Sequence, residues 1–280
     1  MRAVLEYLTP MSLDDALAAL DAGELSIIAG GTDWYPAQGE CPIECDILDV
    51  TRIAALRGIS KAKDGWRIGA ASTWSDVIAA DLPAAFDGLK AAARDVGSVQ
   101  IQNAGTIAGN LCNASPAADG VPPLLALKAL VEICSAEGCR VVPLGTFITG
   151  VRRVALDKGE MVTAVIIPET SAALKSAFVK LGARKYLVIS IAMVAVTCAL
   201  RDGVLSDVRI AVGSCSPVAK RLSALEAALE NQTLAQTDAI LAEACLSALA
   251  PIDDVRGSKE YRVDVVATLI AQALREASHG

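Results

Sequence analysis

The stretch from Val96 to Pro123, V-G-S-V-Q-I-Q-N-A-G-T-I-A-G-N-L-C-N-A-S-P-A-A-D-G-V-P-P, limits what this chain can fold into more than any other. It lies between apolar segments yet consists of small residues, amides and hydroxyls, and it holds Gly97, Gly105, Gly109 and Gly120. Glycine lets a backbone turn through positive φ and come close to a ligand. Thr106, Asn110, Asn113 and Ser115 add side-chain donors suited to an anion. The stretch reads as a binding loop rather than a core element, and a phosphate ester is the ligand it suits.

A second segment of the same character lies upstream, where the apolar run Ile27-Ile28-Ala29 breaks into Gly30-Gly31-Thr32-Asp33-Trp34. On its own, Gly-Gly-Thr-Asp is ordinary turn chemistry. Paired with the downstream stretch, it could close on a pyrophosphate from the opposite side. Neither of the common nucleotide fingerprints is present. There is no G-x-x-x-x-G-K-[ST], and no G-x-G-x-x-G follows a strand, which argues against a P-loop and a Rossmann site.

The remaining composition narrows the function classes. With 280 residues, 53% of them hydrophobic, the chain can bury a sizeable core across two domains. Its net charge of −7 disfavours nucleic-acid and anionic-membrane partners. The N-terminal sequence lacks the apolar core of a signal peptide and no run is long enough to span a bilayer, so membrane insertion is not expected and a cytoplasmic location is. The eight cysteines, including Cys134, Cys139 and Cys245, are scattered without a C-x-x-C framework and read as reduced thiols, with no metal site. The one histidine, His279, stands next to the C-terminus, which nearly excludes a Ser-His-Asp triad or a His-ligated metal. No acid or base for catalysis is expected, so the chemistry must come from a cofactor.

Along the chain, Ser12 and Asp15 stand at capping-box spacing ahead of a short amphipathic helix that ends near Gly23. Strands are expected at 25–29 and 46–50, and a hairpin around Lys61 to Gly65. A helix over 87–96 leads into the binding loop, and another follows Pro122-Pro123 over 124–130. A second hairpin spans 131–142, and a strand runs from Glu160 to Pro168. The composition changes at Glu169 to Lys175, which sets an expected boundary between residues 1–170 and 171–280, the first part itself dividing near residue 55. Beyond the boundary come strands over 176–181, 189–200 and 208–212, with Arg201-Asp202-Gly203 as an antiparallel turn. Helices over 220–230, 237–249 and 263–278 follow.

The motifs A-G-G-T-D at Ala29 to Asp33 and T-I-A-G-N-L-C-N-A-S-P-A-A-D at Thr106 to Asp119 resemble the FAD-binding (medium) subunit of the molybdenum hydroxylases, the xanthine dehydrogenase and carbon monoxide dehydrogenase family. The closing segment P-I-D-D-V-R-G-S-K-E-Y-R, Pro251 to Arg262, matches that family's end motif. The resemblance implies an α+β chain: a two-subdomain FAD-binding domain similar to that of vanillyl-alcohol oxidase, then a smaller domain with a three-stranded sheet and helices. It places Ile28, Ala29, Gly30, Gly31, Thr32, Asp33 and Trp34 opposite Thr106, Ile107, Ala108, Gly109 and Asn110, cradling the FAD pyrophosphate through backbone N–H groups, with Asp33 capping its own turn. Thr73, in the pair Ser72-Thr73, matches a stretch passing near the cofactor. Ser115 and Asp119 match positions near pyrophosphate and ribose, Val96 and Val162 apolar positions against the cofactor, and Lys180 a lysine beside the flavin ring.

The sequence departs from the family pattern at Ala108, where many relatives have glycine, and at Val188, where many have aspartate. A methyl group at position 108 is tolerable at negative φ and costly at positive φ. The implied function is electron transfer. A large subunit with the molybdenum cofactor and a small subunit with two-iron, two-sulfur clusters would be the partners, and NAD, a quinone or another acceptor would take the electrons. Two alternatives stay open: a self-contained flavin oxidoreductase using Tyr186, Lys180 or Arg184, and an assembly subunit that has lost FAD.

Overall fold

The structure is a computed structural model and describes residues 5–244 and 246–279; the first four residues, Cys245 and Gly280 lie outside that set. Three sheets carry the fold. The first is parallel, ordered Tyr7–Leu8, Asp46–Asp49, Leu25–Ile28. Its edge strand Leu25–Ile28 receives the chain from the Leu13–Ala22 helix, whose Ser12 cap accepts from Asp15 N at 3.1 Å and which buries Ala16, Leu17 and Leu20. The capping residue and apolar spacing read from the sequence are both realised.

The second sheet is antiparallel with five strands, in the order Ile59–Ala62, Gly65–Gly69, Met161–Pro168, Leu130–Ser135, Gly138–Pro143. Both expected hairpins are its outer pairs. The register of the second hairpin puts Cys134 directly opposite Cys139, and a disulfide joins them. That corrects the reading of scattered reduced thiols: a separation in sequence of 5 residues becomes direct opposition once the turn is formed. Cys41, Cys45, Cys112, Cys198 and Cys215 are free.

The third sheet is also antiparallel, Leu174–Leu181, Ala192–Arg201, Val204–Gly213 and the two-residue strand Lys220–Arg221. This short fourth strand was not legible beside three long ones. Asp202 and Gly203 both take positive φ in the turn between strands, as a tight hairpin requires. Side chains alternate across the sheet. Phe178, Met193, Ala195 and Ala211 join the core of the first two sheets, while Val179, Val194, Val196 and Val212 pack on Leu225, Leu229, Ile270 and Leu274. Burial on both faces explains the apolar run through residues 192–199, interrupted only by the buried Thr197, where a one-sided sheet would alternate.

The Lys259–His279 helix, 21 residues long, covers the outer face of that sheet and begins one turn earlier than the apolar pattern suggests. No helix among the described residues is long and apolar enough to cross a membrane.

The largest difference from expectation is the 96–123 stretch, which is mostly helical. It forms Val99–Ala104, Ile107–Asn113 and Val121–Ala126, joined by tight turns. Ser98 and Thr106 cap the first two helices, and Ile107, Ala108 and Leu111 bury one face of the second. Pro122 and Pro123 sit inside the first turn of the third, where a missing N–H costs no helical bond. Caps that look like anion donors in sequence are therefore also helix starts.

Candidate functional site

The two glycine-bearing segments touch at backbone level. A Cβ built on Gly30 would lie 1.8 Å from the Ala104 carbonyl oxygen and 2.9 Å from Gly105 N. No side chain fits there. Gly31 takes φ +65°, which turns the chain from the Leu25–Ile28 strand into the short Trp34–Gln38 helix. On the other side, Trp74 N donates to Gly105 O at 3.1 Å, holding the downstream segment against the Trp74–Ala79 helix.

The donors are unevenly distributed. Ile107 N donates to Ser72 O, Ala108 N to Ala70 O, Gly109 N to Thr106 Oγ1 and Asn110 N to Thr106 O. All four backbone donors of this segment are thus engaged within the protein. In contrast, the N–H groups of Gly30, Gly31, Thr32, Asp33 and Trp34 make no hydrogen bond to any described residue. Successive idle N–H groups along a glycine turn form a concavity suited to an anion. Asp33 does not cap its turn; its carboxylate faces the cleft without a capping bond, where it suits a hydroxyl donor rather than a phosphate.

The cleft between the segments has two adjoining lobes of about 420 and 370 Å³. Thr32, Asp33, Val96, Ile101, Asn110, Asn113 and Arg152 line both. Asn110 Oδ1 is buried in it without a partner, an acceptor waiting for a hydroxyl or amide donor. Arg152 is the cation at the junction. It takes φ +57°, its N–H donates to Ala114 O at 2.9 Å, and its Nη1 donates to the backbone and side-chain oxygens of Asn113. Its other guanidinium N–H groups remain open, a strong donor set for a pyrophosphate. Burial pushes the Cys112 thiol up to about 12, so it stays protonated in the cleft wall.

Beneath the larger lobe lies a buried ion pair. Lys180 Nζ donates to Asp119 Oδ2 at 2.6 Å and to Asp95 O at 3.3 Å, and Ser190 Oγ donates to Asp119 Oδ1 at 2.7 Å. The two side chains are only 6% and 11% exposed. Burial pushes the Asp119 carboxyl up, opposed by the Lys180 charge and by the bonds from Lys180 and Ser190.

Of the residues singled out in sequence, Ile28 through Trp34, Val96, Thr106, Gly109, Asn110, Ser115 and Asp119 line the cleft. Thr73 does not: its hydroxyl caps the Trp74–Ala79 helix in a capping box with Asp76. Ile107 and Ala108 point into the core. Ala108 is absent from the positive-φ residues, so the methyl group that replaces a glycine is accommodated without strain. Val162 is a buried strand residue paired with Ile133. Lys180 reaches the cleft only through Asp119. Arg152, Trp74, Ile101, Leu187 and Ile189 were missed, while Val188, noted in sequence only as a departure from the family pattern, lines the larger lobe. The glycine motifs held no signal for them.

Residues 3–170 match the model of the FAD binding domain in molybdopterin dehydrogenase, and residues 177–277 that of the CO dehydrogenase flavoprotein C-terminal domain. The chain is 33% identical over 277 residues to a xanthine dehydrogenase FAD-binding subunit of Escherichia coli O157:H7, covering 97% of this chain and 95% of that one. It is 31% identical over 277 residues to the nicotine 6-hydroxylase medium subunit of Paenarthrobacter nicotinovorans, covering 98% and 97%. A chain of carbon monoxide dehydrogenase from Hydrogenophaga pseudoflava superposes with a TM-score of 0.90 at 28% identity, over 99% and 98% of the two chains.

Two outcomes follow from this geometry. Gly30→Ala forces the two segments apart, so flavin per purified chain should fall to near zero while far-UV circular dichroism is retained; full flavin content would refute the close approach. Lys180→Met leaves a buried carboxylate unpaired and should lower the unfolding free energy by about 3–5 kcal/mol. Adding Asp119→Asn should restore most of it in urea unfolding. A loss below about 1 kcal/mol for Lys180→Met would mark the pair as a surface contact.

Proposed function

The chain belongs to the FAD-binding subunits of the molybdenum hydroxylases, and from that premise we propose that it is the electron-transfer subunit of such a complex. In this reading residues 1–170 form the FAD-binding unit and 171–280 the C-terminal unit. FAD supplies the redox chemistry, accepting electrons from iron-sulfur clusters in a small partner subunit and releasing them to an external acceptor such as NAD or a quinone. A large subunit with the molybdenum cofactor would oxidise the substrate. The relatives' designations as medium or FAD-binding subunits support partner chains of this kind.

The observation that carries the reading is the row of idle N–H groups from Gly30 to Trp34, facing Arg152 across the cleft. These groups bind and orient the pyrophosphate. Thr32 and Thr106 keep hydroxyl protons free to donate, and Asn110 Oδ1 and Asp33 accept from sugar hydroxyls. Ile27, Ile28, Val96, Ile101 and Val188 supply apolar wall for the ring systems and exclude water. Lys180 acts on the flavin through Asp119: the pair presents a compensated charge to the lobe, in place of the bare cation expected from sequence.

The self-contained oxidoreductase is the weaker reading, because its candidate acids and bases are committed elsewhere. Lys180 is paired with Asp119, Arg184 donates to the carbonyls of Tyr186 and Leu187, and Tyr186 is exposed outside the lobe lining. The assembly subunit without FAD is weaker still, since the donor row is intact and Ala108 is unstrained.

The purified chain should show flavin absorption, release FAD on acid treatment and bleach with dithionite. Candidate hydroxylase substrates should bleach it only when partner subunits are added. A colourless chain that cannot be reconstituted with FAD would overturn the reading, and bleaching by a small substrate without partners would favour the self-contained enzyme.

A further inference from the structure

The family's closing segment, Pro251 to Arg262, has no role in the flavin cleft, yet it walls a second cavity of about 340 Å³. That cavity shares Ser115, Ala117, Arg152 and Ile189 with the larger flavin lobe. On its far side stand Ser214, Asp254, Arg256 and Arg262. Two buried polar atoms in these walls have no partner, Arg262 Nε and Ser214 Oγ.

Arg262 is only 2% exposed. Its Nη1 donates to the carbonyl oxygens of Ile191 and Ser214, and its Nη2 donates to Asp254 Oδ1 at 2.6 Å. The guanidinium is therefore locked in place by three of its five N–H groups, and Nε–H has no partner at all. The Nη1 bond to Ser214 O at 3.0 Å ties Arg262 to the backbone of the residue that carries the other unpartnered atom. A buried donor without an acceptor is costly, and a site that keeps one holds a ligand or water against it. The wall charges also favour an anion. Arg152, Arg256 and Arg262 face a single carboxylate, Asp254, in a chain whose net charge is −7.

We propose that this cavity binds a small organic carboxylate. The two idle donors of these walls, Arg262 Nε–H and the Ser214 hydroxyl, match in number the two oxygens of a carboxylate rather than the three or four of a phosphate. Pro116, Val151, Ile189, Pro217 and Ile252 provide an apolar wall for the remainder of such a molecule. The partition toward the flavin lobe includes Ser190, which donates to Asp119. A bound carboxylate is thus felt in the lobe through Ser190 and Arg152, a coupling that rests on the FAD reading, whereas binding itself does not.

Benzoate serves as the probe, titrated calorimetrically into both flavin-loaded and flavin-free full-length chain, with the flavin absorption recorded in the loaded sample. One site per chain is expected, with a flavin difference spectrum that saturates in step. Ser214→Ala should weaken it about tenfold, as loss of a hydrogen bond to a charged group does. Ile252→Glu, at a side chain 66% exposed at the cavity wall, should weaken it by charge repulsion without disturbing the fold. Absence of saturable heat in both forms, as for a cavity holding water only, would overturn the proposal. So would binding unaffected by both substitutions, or inorganic phosphate binding as tightly as benzoate. Saturable heat in a chain that takes up no FAD would sustain the carboxylate site while refuting the flavin assignment.

Discussion

The contact of Gly30 with the Ala104 carbonyl is the constraint on which the rest of the site depends. It brings the end of a parallel strand against the end of a short helix at a separation that only a residue without a Cβ allows. Everything that faces the cleft is placed relative to that contact. Gly31 turns the upstream chain so that successive N–H groups are left without internal bonds, while Thr106 starts a helix whose first N–H groups are consumed internally. One segment donates and the other supports. The pair looked symmetrical in sequence because both are rich in glycine and hydroxyls, and only the hydrogen-bond inventory separates their roles.

Much of the fold was legible. The Ser12 cap, both hairpins, the Asp202-Gly203 turn and the long apolar strands follow from local rules that tertiary contacts did not override. The 96–123 stretch was read as a loop because its small residues and hydroxyls mask the buried face formed by Ile107, Ala108 and Leu111. Arg152 was invisible for a different reason. It reaches the cleft from the turn of a two-stranded ribbon, Ile148–Gly150 with Arg153–Val154, that lies in sequence between two strands of the second sheet. It is fixed by bonds to Ala114 O and Asn113, so its place is a property of the packed structure alone. The cysteine pair and the short fourth strand of the third sheet were likewise matters of register and packing.

The buried Lys180–Asp119 pair shows how a single residue match can mislead when its partner is unseen. Taken alone, Lys180 reads as a cation beside a flavin. With Asp119 and Ser190 around it, the same lysine neutralises a carboxylate that the protein has taken out of water. Ser190 also borders the second cavity, so one hydrogen-bonded wall separates and connects the two sites. The long C-terminal helix and the closing segment, remote from the glycine motifs in sequence, thereby reach the edge of the cleft's larger lobe.

Amide hydrogen exchange, resolved to the segments around residues 30–34 and 107–110 with and without FAD, tests the central claim most directly. The account predicts rapid exchange at Gly30 to Trp34 in the flavin-free chain and strong slowing when FAD binds, with Ile107 to Asn110 protected in both states. Protection that rises at 107–110 and leaves 30–34 unchanged would contradict it, because the pyrophosphate would then be held by donors that this structure has already spent.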